Sequence, residues 1–100
     1  MLSHEVRLEY CAANGIEVGR RITGGGGLYL DEGQACWELV LDRRALGADL
    51  AAITARICTA AAAGLKRLGV PAEFRPRNDI EVEGRKLSGT GGVIDGDTLF

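Results

Sequence analysis

The chain predicts an α+β fold built on a mixed, largely antiparallel sheet with helices on one face. Three observations carry this expectation. Residues 16–23 and 34–41 alternate apolar and polar side chains with the period of two that a half-buried strand requires. Residues 46–68 repeat apolar side chains at helical spacing. The segments after residue 72 return to short extended patterns divided by turn signals.

In chain order, Glu5 to Tyr10 places Val6, Leu8 and Tyr10 on one side, which favours a short strand. Tyr10-Cys11-Ala12-Ala13 before Asn14-Gly15 suits a helix with a left-handed cap instead, and both readings stand. Ile16 to Thr23 reads as a strand with Ile16, Val18 and Ile22 on the core face; Arg20 falls on that side and leaves the sheet at its end. Four glycines, Gly24 to Gly27, lead into Leu28-Tyr29-Leu30 and the turn Asp31-Glu32-Gly33. Gln34 to Leu41 alternates again, with Ala35, Trp37, Leu39 and Leu41 inward and Trp37 as a core anchor.

The clearest helix follows. Leu46, Leu50, Ile53, Ile57, Ala61, Leu65 and Leu68 share one stripe, Asp49 stands near the start, and Gly69 with Pro71 ends it. Ala72 to Arg75 is a short extended piece, and Pro76 biases Arg75 away from helical geometry. Asn78 to Gly92 reads as a hairpin turning at Glu83-Gly84, which pairs Val82 with Arg85, Glu81 with Lys86, Ile80 with Leu87 and Asp79 with Ser88. One face then holds Asp79, Glu81, Lys86 and Ser88, and the other holds Ile80, Val82 and Leu87. A last strand pair near Val93-Ile94 and Thr98 to Phe100 turns at Asp95-Gly96, and the pattern is expected to continue past Phe100.

Composition bounds the function. With 46% hydrophobic residues, 26% charged residues and a net charge of −2, the chain reads as one soluble domain without the basic footprint of a nucleic-acid binder. It holds no apolar run long enough to span a membrane and no signal-peptide pattern at its start, so a cytoplasmic protein is expected. Cys11, Cys36 and Cys58 are odd in number and widely spaced; they are expected as reduced, buried structural thiols rather than as bridges or a zinc site. His4 is expected as a solvated terminal side chain.

Two constellations point to chemistry. Arg20-Arg21-Ile22-Thr23-Gly24-Gly25-Gly26-Gly27 sets guanidinium forks and a hydroxyl beside residues without side chains, an arrangement whose N–H groups and arginine suit a carboxylate or phosphate. No Gly-Lys-Ser/Thr follows, and a strand rather than a helix comes next, which excludes a Walker A loop and a dinucleotide fingerprint. The same residues also suit a flexible glycine turn with solvated arginines. In the hairpin, Lys86 either pairs with Glu81 across the strands or is held toward a ligand's charge, with Asp79 available to a divalent cation.

Together, Arg20 to Asp31, Arg77-Asn78-Asp79-Ile80 and Gly84-Arg85-Lys86-Leu87-Ser88-Gly89 resemble the signature segments of the lipoate–protein ligase A family, in the biotin and lipoate ligase group with its class II synthetase-like fold. The segment from Glu9-Tyr10-Cys11 to Asn14-Gly15-Ile16 is similar to the helix and strand before that family's glycine loop. The resemblance implies activation of lipoate with ATP and Mg2+ to lipoyl-AMP, then transfer to a lysine of a lipoyl-domain carrier protein. It implies that Arg21, Thr23, Gly24, Gly25, Gly26 and Gly27, with Asn78 and Ser88, bind substrate and ATP. Lys86 is implied as the catalytic cation and Asp79 as the residue near Mg2+.

Gly27 and Leu30 depart from the family's usual small non-glycine residue and histidine, which alters the local pocket. Because the family pattern extends on both sides, residues 1–100 read as a single partial catalytic domain, inactive alone or completed by a second chain. The alternatives are an octanoyl or lipoyl transferase that uses a cysteine instead of ATP, or a non-catalytic acyl-binding module or inactive fragment. In such transferases the cysteine lies downstream of the hairpin, where this chain has none.

Overall fold

A computed structural model describes residues 5–47 and 49–100, so His4 lies outside the described residues. The fold is α+β, and every strand pairing in it is antiparallel. Helix α1 spans Leu8–Ala13, which resolves the ambiguous first segment as helix. Its end is closed by Ile16 N–H donating to the Cys11 carbonyl at 2.9 Å, the six-to-one bond of a left-handed helix stop. Strand β1, Leu41–Asp42, runs into a short 3-10 turn at Arg43–Ala45. Helix α2 spans Leu50–Arg67, and β2 (Ala72–Arg75), β3 (Asp79–Val82), β4 (Arg85–Gly89), β5 (Ile94–Asp95) and β6 (Thr98–Leu99) follow.

The strands form two small sheets, ordered β2-β3-β4 and β1-β6-β5. Helix α2 begins where the Asp49 carboxylate accepts from Ala52 N–H at 2.8 Å, an N-cap that satisfies one of the first turn's free donors. It ends where Val70 N–H donates to the Leu65 carbonyl and Gly69 N–H to the Lys66 carbonyl, both at 3.0 Å. Between these stops the helix lays Cys58 and Ala62 against Ala72 and Ile80 of the first sheet, with Leu65, Val70, Phe74 and Val82 around them. Small side chains at Ala62 and Ala72 let helix and sheet approach closely. The stripe turns slightly from the expected one: Ile53, Cys58 and Ala62 are its buried members, while Leu68 is the C-cap and is exposed.

In the hairpin, Glu83 and Gly84 have φ of 51° and 77°, the paired left-handed conformation of a two-residue turn. Glycine adopts it freely, whereas glutamate at Glu83 does so at a cost. At the second sheet, Asp42 caps the 3-10 turn through Arg44 N–H and grips the Arg44 guanidinium. That side-chain hydrogen bond first, and the backbone one second, hold the Asp42 carboxyl below its ordinary pKa.

The structure corrects several expectations. Residues 16–23, 28–30 and 34–40 form no strand; only Leu41–Asp42 of the alternating segments is paired. Alternation marks a chain able to be half-buried in a sheet, but a strand exists only where a neighbour accepts its hydrogen bonds, and none among the described residues does so here. Trp37 is consequently 54% exposed rather than a core anchor, and Ile22 and Tyr29 are more exposed still. Cys36 is exposed, whereas Cys11 and Cys58 are buried as expected and all three are free thiols. The Cα radius of gyration of 15.7 Å exceeds the roughly 13 Å of a compact domain this long, which these uncovered segments explain.

Ile80 is 1% exposed at the centre of the core. Ile80→Ala should cost about 2–4 kcal/mol in chemical denaturation, the range for truncating a buried aliphatic side chain. Glu83→Asn, which better tolerates positive φ, should stabilise the hairpin by about 0.5 kcal/mol in the same measurement.

Candidate functional site

Burying Ile80 against helix α2 forces its neighbours in β3 outward, because successive side chains of a strand alternate faces. Asp79 and Glu81 therefore share the outer face. Lys86 stands opposite Glu81, as the turn at Glu83-Gly84 requires. Its ammonium does not stay there. Lys86 Nζ lies 3.3 Å from Asp79 Oδ1, while Glu81 Oε2 lies 3.7 Å from Arg75 Nη1.

A β-bulge explains the reach. Between the Glu81–Lys86 and Ile80–Ser88 pairs, β4 carries one extra residue, Leu87, so Asp79 faces Gly89 instead of Ser88. The missing side chain at Gly89 makes room: a Cβ there would sit 3.1 Å from Lys86 Nζ and 3.7 Å from Asp79 Oδ1. The bulge also corrects two expectations. Ser88 lies opposite Ile80 and so shares the inner face rather than the Lys86 face, and Leu87 is exposed rather than in the apolar layer.

Asn78 precedes β3 and ties the hairpin's two ends together. Its Nδ2 donates to the Thr90 carbonyl at 2.6 Å, and Thr90 N–H donates to the Asn78 carbonyl at 2.9 Å. The Thr90 hydroxyl lies 3.5 Å from the buried Cys58 sulfur, which anchors the same point to α2.

The glycine loop folds around its own arginine. Arg21 Nη2 donates to the carbonyls of Gly24 at 3.0 Å and Gly26 at 2.8 Å, and Nε adds a bond to Gly24 at 3.3 Å. Carbonyls rather than N–H groups thus converge in this state, and they converge on the guanidinium. Gly25 admits this close approach, since a Cβ there would lie 2.6 Å from Nη2. Gly27 faces the Glu5 carboxylate, which lies 3.3 Å from where a Cβ would stand. Thr23 turns the other way and packs on Gly91, whose Cβ position is 3.1 Å from Thr23 Oγ1.

The structure therefore brings Lys86 and Asp79 together, while Asn78, next to Asp79 in the chain, is tied to Thr90, and Gly91 after it meets Thr23 of the loop. Arg21 with Gly24 and Gly26 forms a separate cluster on the loop side, and Ser88 is turned away. Gly89, Thr90, Gly91 and Cys58 were not legible as site residues; the glycines between Gly84 and Gly96 were the available signal for two of them. Among the described residues no group of three or more His, Cys, Asp or Glu side chains gathers as for a metal. An apolar groove of about 340 Å³ lies elsewhere, between Trp37 and Leu39 and the α2 residues Ile57, Ala60 and Ala61. Among the described residues no helix is long and apolar enough to cross a membrane.

Residues 2–100 match the family described as Lipoyl protein ligase A/B catalytic domain. Among curated proteins, the chain is 31% identical over 98 residues to a probable lipoate-protein ligase A of Mycoplasma pneumoniae, covering 96% of this chain and 28% of that protein. It is 38% identical over 86 residues to the lipoate-protein ligase LplJ of Bacillus subtilis, covering 85% of this chain and 25% of that protein. It is 38% identical over 97 residues to lipoate–protein ligase 1 of Staphylococcus aureus, covering 96% of this chain and 28% of that protein. The chain thus spans between a quarter and a third of the length of these relatives. No solved structure matches.

Gly89→Ala should displace the Lys86 ammonium from Asp79, because the flexible end of the lysine yields before the backbone does. Loss of the Lys86 side-chain to Asp79 proximity in an NMR or crystal structure, with stability changed by less than about 1 kcal/mol, is the expected result for an exposed pair.

Proposed function

The chain belongs to the lipoyl protein ligase A/B catalytic domain family, and from that premise we propose that it serves lipoate–protein ligation, with Lys86 as the catalytic cation. A carboxylate oxygen of lipoate attacks the α-phosphorus of ATP, the bond to the β-phosphate oxygen breaks, and pyrophosphate leaves. The amine of a carrier-domain lysine then attacks the acyl carbon, an amide forms, and AMP departs with the electrons of the anhydride bond. Names of relatives such as lipoate–protein ligase 1 support this choice of substrate.

The observation that carries the reading is the Lys86–Asp79 pair beside Asn78, linked to the glycine loop. Charge develops on the acyl and α-phosphate oxygens during adenylation, and an ammonium that has turned to the bound ligand before the chemical step lowers that barrier. Lys86 is more than half exposed and its 3.3 Å pair with Asp79 is therefore weak, worth about 1 kcal/mol or less. The ammonium can exchange this carboxylate for a ligand's oxyanion at small cost. Asp79 then becomes free. A lone carboxylate suits Mg2+ carried by ATP phosphates and water rather than a protein cage, and bound there the ion would neutralise phosphate charge. Arg21 and Thr23 are the loop's binding groups in this reading, and exchange of the Gly24 and Gly26 carbonyls for a ligand anion would free the guanidinium fork.

The protein partner in this proposal is a lipoyl-domain carrier, and the compartment is the cytoplasm. The exposed side chains of Ile22, Leu28, Tyr29, Trp37 and Val40 support a further polypeptide covering the unpaired segments. Lys86→Ala should lower lipoate-dependent ATP–pyrophosphate exchange by the native gene product about 100-fold or more while leaving its fold intact by circular dichroism. Full activity in that variant would overturn the assignment, and acyl transfer without any ATP requirement would favour the transferase alternative.

A further inference from the structure

The glycine loop and the Lys86 hairpin lie far apart in the sequence, and a close contact joins the loop to the residues that follow the hairpin. Gly91 does not have a left-handed φ, so a side chain there would be opposed by the nearness of Thr23 rather than by backbone conformation. A Cβ would lie 3.1 Å from Thr23 Oγ1 and 3.3 Å from Thr23 Cβ, tighter than ordinary van der Waals contact, so Thr23 would have to give by a few tenths of an ångström. The residue before it is fixed from three directions. Asn78 takes the carbonyl and the N–H of Thr90, and Cys58 meets its hydroxyl. Because Cys58 is fully buried on α2, this point is tied to the core.

We infer that Thr90-Gly91 is a positioning joint that sets the separation between the Lys86–Asp79 pair and the Arg21–Gly27 loop. What that separation serves rests on the ligase reading: a single ligand must be held at both places while its carboxylate and phosphate react. Neither Thr90 nor Gly91 touches the reacting atoms in this account. They act through Asn78 on one side and Thr23 on the other. A larger residue at Gly91 presses on the Thr23 side chain, and the Thr90 hydroxyl meets the Cys58 thiol.

The test compares Gly91→Ala, Thr23→Ala and the double variant in the native gene product, using two readouts. The first is the NMR amide shifts of Gly24 to Gly27 and of Asn78 and Asp79, which need no activity. The second is the steady-state rate of lipoyl-AMP formation. Gly91→Ala should move both groups of amides and lower kcat about 10-fold with KM changed less than about threefold, as a sub-ångström misplacement does. In the Thr23→Ala background the hydroxyl is gone and only the 3.3 Å approach to the remaining Cβ is left, so the same substitution should cost less, about threefold. Should Gly91→Ala not fold, Thr23→Val presses the same contact from the exposed loop and should move the Asn78 and Asp79 amides. Loop amides that stay fixed in Gly91→Ala, or an equal cost in both backgrounds, would overturn the joint. A wild-type protein that makes no lipoyl-AMP would instead overturn the ligase reading, with the amide coupling still deciding the joint.

Discussion

The burial of Ile80 against Cys58 and Ala62 is the constraint on which the rest of the structure depends. Once that side chain is in the core, strand alternation puts Asp79 and Glu81 on the outer face, and the Glu83-Gly84 turn brings Lys86 to the same side. A slip of one residue in β3 would bury a carboxylate and expose Ile80, exchanging a favourable contact for an unpaired buried charge. The position of the lysine is therefore set by apolar packing on the opposite face.

The site is held in a relaxed state by weak polar contacts. Lys86 rests on Asp79, Arg21 rests on its own loop carbonyls, and Glu81 is paired with Arg75, all near solvent. Exposed contacts of this kind exchange partners at small cost, which suits groups that must turn to an incoming anion. The firm elements are different ones: the reciprocal bonds between Asn78 and Thr90 and the contact of Thr90 with Cys58 fix the frame that carries those side chains.

Much of this was legible because local physical chemistry decides it. The periodicity of residues 46–68, the Asp49 cap and the Gly69 stop define α2, and Glu83-Gly84 defines the hairpin turn. That Lys86 and Asp79 share a face follows from alternation and that turn. The bulge at Leu87 does not, since a period-of-two pattern carries no sign of one extra residue, and strict alternation puts Ser88 on the opposite face from the one it occupies. Residues 16–23 and 34–40 show the other limit. Their alternation is plain, yet a strand needs a neighbour, and Trp37 and Ile22 remain exposed where none comes. Thr90 and Gly91 escaped notice because their roles depend on Thr23 and Cys58, residues distant in sequence whose approach only the fold reveals.

The central claim is that Lys86 leaves Asp79 to meet the ligand's charge. The most direct measurement is a structure of the protein with a non-hydrolysable lipoyl-AMP analogue bound. Lys86 Nζ should lie roughly 2.7–3.2 Å from the analogue's acyl or phosphate-like oxygens, with the Asp79 pair opened. A bound analogue with Lys86 still on Asp79 and no contact between them would contradict it.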